Sequence, residues 1–347
     1  MLSILLDMQS LLTPPLPLLI TGVAGVAGYN AFFYFRRKYG DAVIGTRRRD
    51  NWPLRAEGVV ACDGEDRDEI LRLFDRYQFR SVLNCGGSCK LKSCELDPVM
   101  AWRANIQELS NLLDAMSGEP VRFVHLSIDL VFSGKLGRPH TEDDPTDPVT
   151  VYGKTMEIAE RLVLARKPDA SILRISLPMG VSFNGHAGAI DWIQSRFKKD
   201  RPATLYVDEV RTPTYTDCLN QVLEDVLARH LPGLYHAGGP RALSLYQIAQ
   251  IVNRVGGYRP ERLIGCPRRD AGPMPPRAGD VTMDSSKLAQ ALGYTPFDPW
   301  PSLEQFVPTH DEWHYERPRH ERGSPELLAE VLYRNPRRFP GSLACGS

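Results

Sequence analysis

Short apolar runs alternate with longer stretches of helical period through the first half of the chain. Residues 17–21 (Pro-Leu-Leu-Ile-Thr) are an apolar run too short for a helix and ending at glycine, which predicts a buried parallel strand. Gly22 to Gly28 form a turn, and 26–38 read as a helix closed by Arg36, Arg37, Lys38 and Gly40, the cationic and glycine stop signals. The alternation continues with strands near 42–46, 58–62, 81–85, 121–128 and 170–175, and helices at 65–77, 97–116 and 151–166. Strand–helix repetition predicts an α/β fold: a Rossmann-type doubly wound parallel sheet covered on both faces.

After about residue 180 the rhythm changes. Glycine and proline become frequent, and helices are expected near 188–198, 215–229, 243–255 and 284–292, with 259–276 as a loop rich in Pro, Arg and Gly. Residues 1–16 are expected to be an extension and 17–180 a nucleotide-binding domain, rejoined by about 207–236. Residues 181–298 supply a smaller α/β substrate lobe, and 299–347 a polar tail with one helix at 324–333. That helix is well signalled by Ser324 as cap, Pro325 at the first position and Glu326 in the first turn.

Composition narrows the class. Of 347 residues 42% are apolar and 24% charged, a globular balance that excludes global disorder. The 42 basic and 42 acidic side chains cancel, so no whole-molecule field points to nucleic acid or an anionic membrane. The apolar N-terminus lacks a basic segment, is interrupted by Asp7 and is followed by no small-residue cleavage site. It is read as an extension rather than a signal peptide, with Met8 as an alternative start. Seven cysteines, an odd number at irregular spacing, argue against a disulfide framework and for a reducing cytoplasm. Cys85, Cys89 and Cys94 cluster, but no nearby His or fourth Cys completes a usual metal set, and no metal is expected.

Thr21-Gly22-Val23-Ala24-Gly25-Val26-Ala27-Gly28 follows a strand and opens a helix, the context of a dinucleotide turn. Glycines at 22, 25 and 28 let the backbone approach a pyrophosphate, while the helix start at Val26 and Ala27 adds free N–H groups. The second strand ends in Thr46-Arg47-Arg48-Arg49, not in the acidic residue that accepts from an NAD ribose. Guanidinium groups suit a ribose phosphate, so NADP(H) is expected over NAD(H), with Arg47 or Arg48 as the main contact. Asp63 is placed to bond adenine, and Cys85 and Gly86 to border the cofactor.

Several stretches together resemble a known family. They are Val82–Cys85, Cys94–Pro98, Ala101–Asn105, His125–Gly134, Thr141–Pro145, Val151-Tyr152-Gly153-Lys154, Leu173–Ser176 and Arg211–Tyr215, with Asp284–Leu288 weaker. With the G-x-x-G-x-x-G spacing they are similar to extended short-chain dehydrogenase/reductases, in the dTDP-4-dehydrorhamnose reductase (RmlD-like) branch. That branch also contains the regulatory β subunit of methionine adenosyltransferase. The resemblance covers about residues 17–298. It implies reduction of a ketone on a sugar nucleotide by a nicotinamide hydride. In the family a Ser or Thr hydroxyl binds the carbonyl, a Tyr gives the proton, and a Lys four residues later holds the ribose and lowers the tyrosine pKa.

Tyr152 is present, but Ile128 stands at the hydroxyl position and Met156 at the lysine position. Each lost interaction of this kind costs about 10²–10⁴ in rate. Lys154 lies two residues from Tyr152, on another side of the helix. Ser127 is a possible substitute for Ile128, opposed by the alternation of strand side chains. The resemblance implies that Asn105 supports the site backbone. Asp129 reads as a loop-fixing acceptor, and His125 as a core histidine. Ser127, Asp129, Arg174 and Arg211 border the expected cleft, the two arginines pairing either with a substrate phosphate or with buried carboxylates. Two functions follow: an NADP-dependent reductase of a nucleotide-linked carbonyl compound with degenerate catalytic groups, or a silent NADP-binding regulator or scaffold. The latter implies a protein partner; a homodimer is the other association expected.

Overall fold

The computed structural model describes residues 13–301 and 323–334, apart from 187, 271, 273 and 274. Expectations for the first twelve residues, Met8 included, and for most of the tail fall outside these. The strands in chain order are β1 (Leu18–Thr21), β2 (Val43–Arg47), β3 (Val59–Ala61), β4 (Ser81–Asn84), β5 (Arg122–Ile128) and β6 (Ser171–Ile175). Shorter ones follow: β7 (Pro178–Met179), β8 (Ala203–Tyr206), β9 (Val210–Arg211), β10 (Thr214–Tyr215), β11 (Gly233–Ala237), β12 (Leu243–Ser244) and β13 (Leu263–Cys266).

Seven of them form one parallel sheet in the order β11-β6-β5-β4-β1-β2-β3. The chain runs outward from β1 to β3 and then returns to β4 on its other side. This reversal opens a crevice at the carboxyl ends of β1 and β4, where open α/β sheets hold ligands. Period-two alternation divides the core. Leu18, Ile20, Leu83, Val124, Leu126 and Ile128 pack on one face, and Leu19, Val82, Phe123 and Ile172 on the other. The first face is covered by helices Val26–Tyr39 and Thr216–Arg229, the second by Arg67–Tyr77, Glu108–Ala115 and Val151–Arg166.

Several elements differ from the sequence reading, among them the helix Leu91–Leu96 and the strands β8 and β11, which it did not contain. The single helix expected over 97–116 is Pro98–Trp102 and Glu108–Ala115 joined by a π-helical turn at Arg103–Gln107. That turn carries the buried Asn105, whose polar contacts replace regular helix packing. The loop expected over 259–276 contains β13, which pairs in parallel with β8, a partner some sixty residues earlier that no local pattern reveals. Among the described residues no helix is long and apolar enough to cross a membrane.

Candidate functional site

β1 runs into a turn that brings three backbone segments into contact. Gly22 has φ +67°, and a methyl on it would lie 2.3 Å from the Cys85 carbonyl oxygen. A methyl on Gly28 would lie 2.4 Å from the Gly22 carbonyl oxygen. Only glycine fits either place. Gly25 caps the helix Val26–Tyr39 without a side-chain bond, and no acidic residue occupies its first turn. The amides of Val26, Ala27 and Gly28 are therefore without helical acceptors at the positive end of the dipole. Beneath the turn, Thr21 Oγ1 donates to Asn84 Oδ1 at 2.5 Å, and the Gly86 amide donates to both oxygens at 3.2 Å. Asn84 Nδ2 donates to His125 Nδ1 at 3.0 Å. Burial lowers His125 to about 4, so its ring is neutral. This cradle fits a pyrophosphate, as the glycine spacing implies.

At the end of β2 the arginines are engaged. Arg47 donates from Nε to the Leu54 carbonyl at 2.7 Å and from Nη1 to the Arg48 carbonyl at 3.0 Å. Arg48 Nη1 donates to Glu65 at 3.0 Å and to Glu108 at 2.6 Å. Burial pushes Glu108 up to about 7 against the pull of Arg48. Asp63 Oδ1 accepts from the Arg49 amide at 3.0 Å, holding the loop. Glu65 and Glu108 were not foreseen, because nothing in local spacing links position 48 to position 108.

The residues expected at the catalytic positions lie where the end of β5 meets the helix Val151–Arg166. Thr150 caps that helix through the Gly153 amide, and a methyl on Gly153 would lie 2.2 Å from the Leu130 carbonyl oxygen. The helix and the turn Asp129–Val131 after β5 are thus pressed together at Gly153, next to Tyr152. Tyr152 is 8% exposed, and its hydroxyl makes no hydrogen bond among the described residues. Burial raises this hydroxyl well above its usual range, and the electrostatics of Cys89 and Asp129 add to the rise. Ile128 and Met156 are buried in the same apolar cluster as Tyr152. The position one helical turn after Tyr152 therefore carries no cation. Asn105 Oδ1 accepts from the Ser88 amide at 2.7 Å, and its Nδ2 donates to Thr155 Oγ1 at 2.8 Å, bracing the loop after β4.

Ser127 and Arg174, expected to border the cleft, are engaged within the protein. Ser127 Oγ donates to Glu160 Oε1 at 2.5 Å, and Arg174 donates to the same carboxylate from Nε at 2.8 Å and Nη2 at 2.7 Å. Arg174 Nη1 also donates to His236 Nε2 at 3.3 Å, and His236 Nδ1 donates to the His140 carbonyl at 3.0 Å. All of these side chains except that carbonyl's owner are tied into one buried polar network. Ser127 faces the 151–166 helix, opposite to Ile128, and so cannot take its place. Of the two roles open to the arginines, the buried carboxylate is the one found. Arg211 is likewise fixed on Asp129, donating from Nε at 2.6 Å and also from Nη2, and Ser176 Oγ donates to Asp129 at 2.6 Å. Burial raises the Asp129 carboxyl while Arg211 and Ser176 draw it back. The overlooked Glu160 had a signal: a charged residue in phase with Tyr152, Met156, Ala159 and Val163 on the buried helix face.

Among the described residues no group of three His, Cys, Asp or Glu side chains is placed to hold a metal, and the six cysteines among them are free.

The chain matches the RmlD substrate binding domain over residues 17–310. It belongs to this family. A dTDP-4-dehydrorhamnose reductase of Mycolicibacterium smegmatis is 31% identical over 246 residues, 69% of this chain and 72% of its own length. The methionine adenosyltransferase 2 subunit beta of Danio rerio is 23% identical over 302 residues, 84% of this chain and 90% of its own. The RmlD-type fold is also that of a solved dTDP-4-dehydrorhamnose reductase from Bacillus anthracis in complex with NADP. It aligns with a TM-score of 0.68 at 17% identity, over 83% of this chain and 97% of that one.

Proposed function

We propose that this protein binds NADP(H) and a nucleotide-linked carbonyl ligand in a reductase-type cleft whose proton-transfer equipment is reduced to Tyr152. The observation that carries the reading is the pairing of an intact glycine cradle with Ile128 and Met156 buried in the same apolar cluster as Tyr152. Gly22, Gly25 and Gly28, with the amides of Val26 and Ala27, would hold the pyrophosphate, with Cys85 and Gly86 along its edge. Arg47 and Arg48 would take the ribose phosphate, Arg48 by exchanging Glu65 and Glu108 for it, and Asp63 would lie toward adenine. Residues 181–298 would supply the ligand lobe. When bound, the nicotinamide supplies hydride. Tyr152 would supply the proton, with no hydroxyl at 128 to orient the carbonyl and no cation at 156 to ease ionisation. Turnover is then slowed by about 10²–10⁴ or more.

A second reading, a silent dinucleotide-binding regulator, is favoured by the same two apolar side chains and by the likeness to the β subunit from Danio rerio. Fluorescence titration with NADPH and NADH, followed by addition of a 4-keto sugar nucleotide, tests both. The proposal expects NADPH to bind more tightly and to be consumed slowly. No consumption at all selects the regulator. Turnover at ordinary rates, or no dinucleotide binding, refutes the reading.

A further inference from the structure

The family match ends at residue 310, yet a described element follows it: the helix Pro325–Tyr333. Ser324 caps this helix through the Leu327 amide. Leu328 and Leu332 are buried, and the helix packs along Leu245–Gly256. The Trp300 indole donates to the Leu332 carbonyl at 3.3 Å, and the Tyr215 hydroxyl to the Val331 carbonyl at 3.1 Å. Arg334 lies 4.0 Å from the centre of the Tyr215 ring and pairs with Asp217 and Asp298.

The last residue of the helix reaches further. The Tyr333 hydroxyl donates to Asp191 Oδ1 at 3.3 Å and accepts from Gln194 Nε2 at 3.2 Å. Asp191 is buried at the start of helix Asp191–Lys198, and its other oxygen ties down the loop before it. Ser182 Oγ donates to Asp191 Oδ2 at 2.5 Å, and the Gly188 amide donates to the same oxygen at 2.6 Å. The far end of this loop rests on the dinucleotide helix. Asn30 Nδ2 donates to the Val181 carbonyl at 2.8 Å and to the Val26 carbonyl at 2.8 Å. Val26 is the first residue after the glycine cap. One carboxylate thus carries the loop on one oxygen and the tail helix on the other.

We propose that the helix Pro325–Tyr333 is a strap that sets the position of loop residues 181–186 and 188–190 beside the dinucleotide turn, with Tyr333 and Asp191 as positioning residues, so that a pyrophosphate-bearing ligand leaves faster when the strap is loosened. The ligand part of this inference rests on the dinucleotide reading; the loop part does not. Tyr333 suits the role: burial and Asp191 keep its hydroxyl protonated, and so a donor.

The test is hydrogen exchange on the ligand-free full chain, comparing wild type with Tyr333→Phe and Asp191→Asn. Both variants should speed exchange over 181–186 and 188–190 about fivefold or more while β1, β4 and β5 are unchanged. NADPH dissociation, followed by stopped-flow fluorescence, should accelerate in step. Unchanged loop exchange in Tyr333→Phe, or a uniform rise through the sheet, overturns the strap. Faster loop exchange with unchanged NADPH dissociation overturns the coupling to ligand. Faster loop exchange in a protein whose wild type binds no NADPH supports the strap and overturns the dinucleotide reading alone.

Discussion

Restoring two side chains tests whether the cleft lacks only its proton equipment. In Met156→Lys the new ammonium sits one turn after Tyr152, about 6 Å along the helix axis. At a charge separation of about 5 Å and an effective dielectric of about 20, it stabilises a phenolate by about 3 kcal/mol. That lowers the tyrosine pKa by about two units from the raised position that burial gives it. Ile128→Thr adds the hydroxyl that orients a carbonyl. Because both act on one transition state, their effects need not multiply. The double variant should gain at least about 10²-fold in single-turnover NADPH oxidation with a 4-keto sugar nucleotide. Met156 is 5% exposed, so the new lysine should cost about 2–4 kcal/mol of stability, read by urea denaturation. Adding Tyr152→Phe should abolish the gain. A folded, NADPH-binding double variant with no gain would refute the reasoning, as would fast wild-type turnover.

Other outcomes follow from the charges. Glu108, raised to about 7, loses its charge as pH falls through that value and competes less for Arg48. NADPH affinity relative to NADH should therefore rise a few-fold from pH 8 to 6.5, and Glu108→Gln should flatten this dependence in a fluorescence titration. Glu160→Ala leaves Arg174 charged and unpaired in the core and should cost about 3–5 kcal/mol in urea denaturation, whereas the double variant Glu160→Leu, Arg174→Leu should cost much less. His125 and His236 are lowered by burial to about 4 and about 3, so both stay neutral in the fold while the unfolded chain takes up protons below about pH 6.5. Their stability is complete above 6.5 and lost as pH falls toward those folded values, by about 2 kcal/mol each at pH 5, measurable as a falling midpoint of denaturation.

Local pattern made the nucleotide half legible. The run 17–21, the glycines at 22, 25 and 28, and the switch to helical period at Val26 all lie within a few residues of one another, as the strand and helix that they specify do. The same holds for Ser324-Pro325 and the helix they open. What stayed hidden depends on partners far apart in the chain. Arg48 reads as a free cation until Glu108 arrives from another helix, and Arg174 as a cleft residue until Glu160 closes on it. The pairing of β13 with β8 and the link from Tyr333 to Asp191 are long-range in the same way.

The division of β5 gives the site a directional stability. Toward its carboxyl end the odd positions His125 and Ser127 make polar contacts while Val124, Leu126 and Ile128 fill an apolar cluster, so a change at 128 leaves the Ser127–Glu160–Arg174 side undisturbed. Exchanging a hydroxyl for isoleucine there buries more hydrocarbon and strengthens the core, while the reverse step weakens it. Thermodynamics alone then works as a ratchet: drift away from chemistry runs downhill, and recovery must first climb.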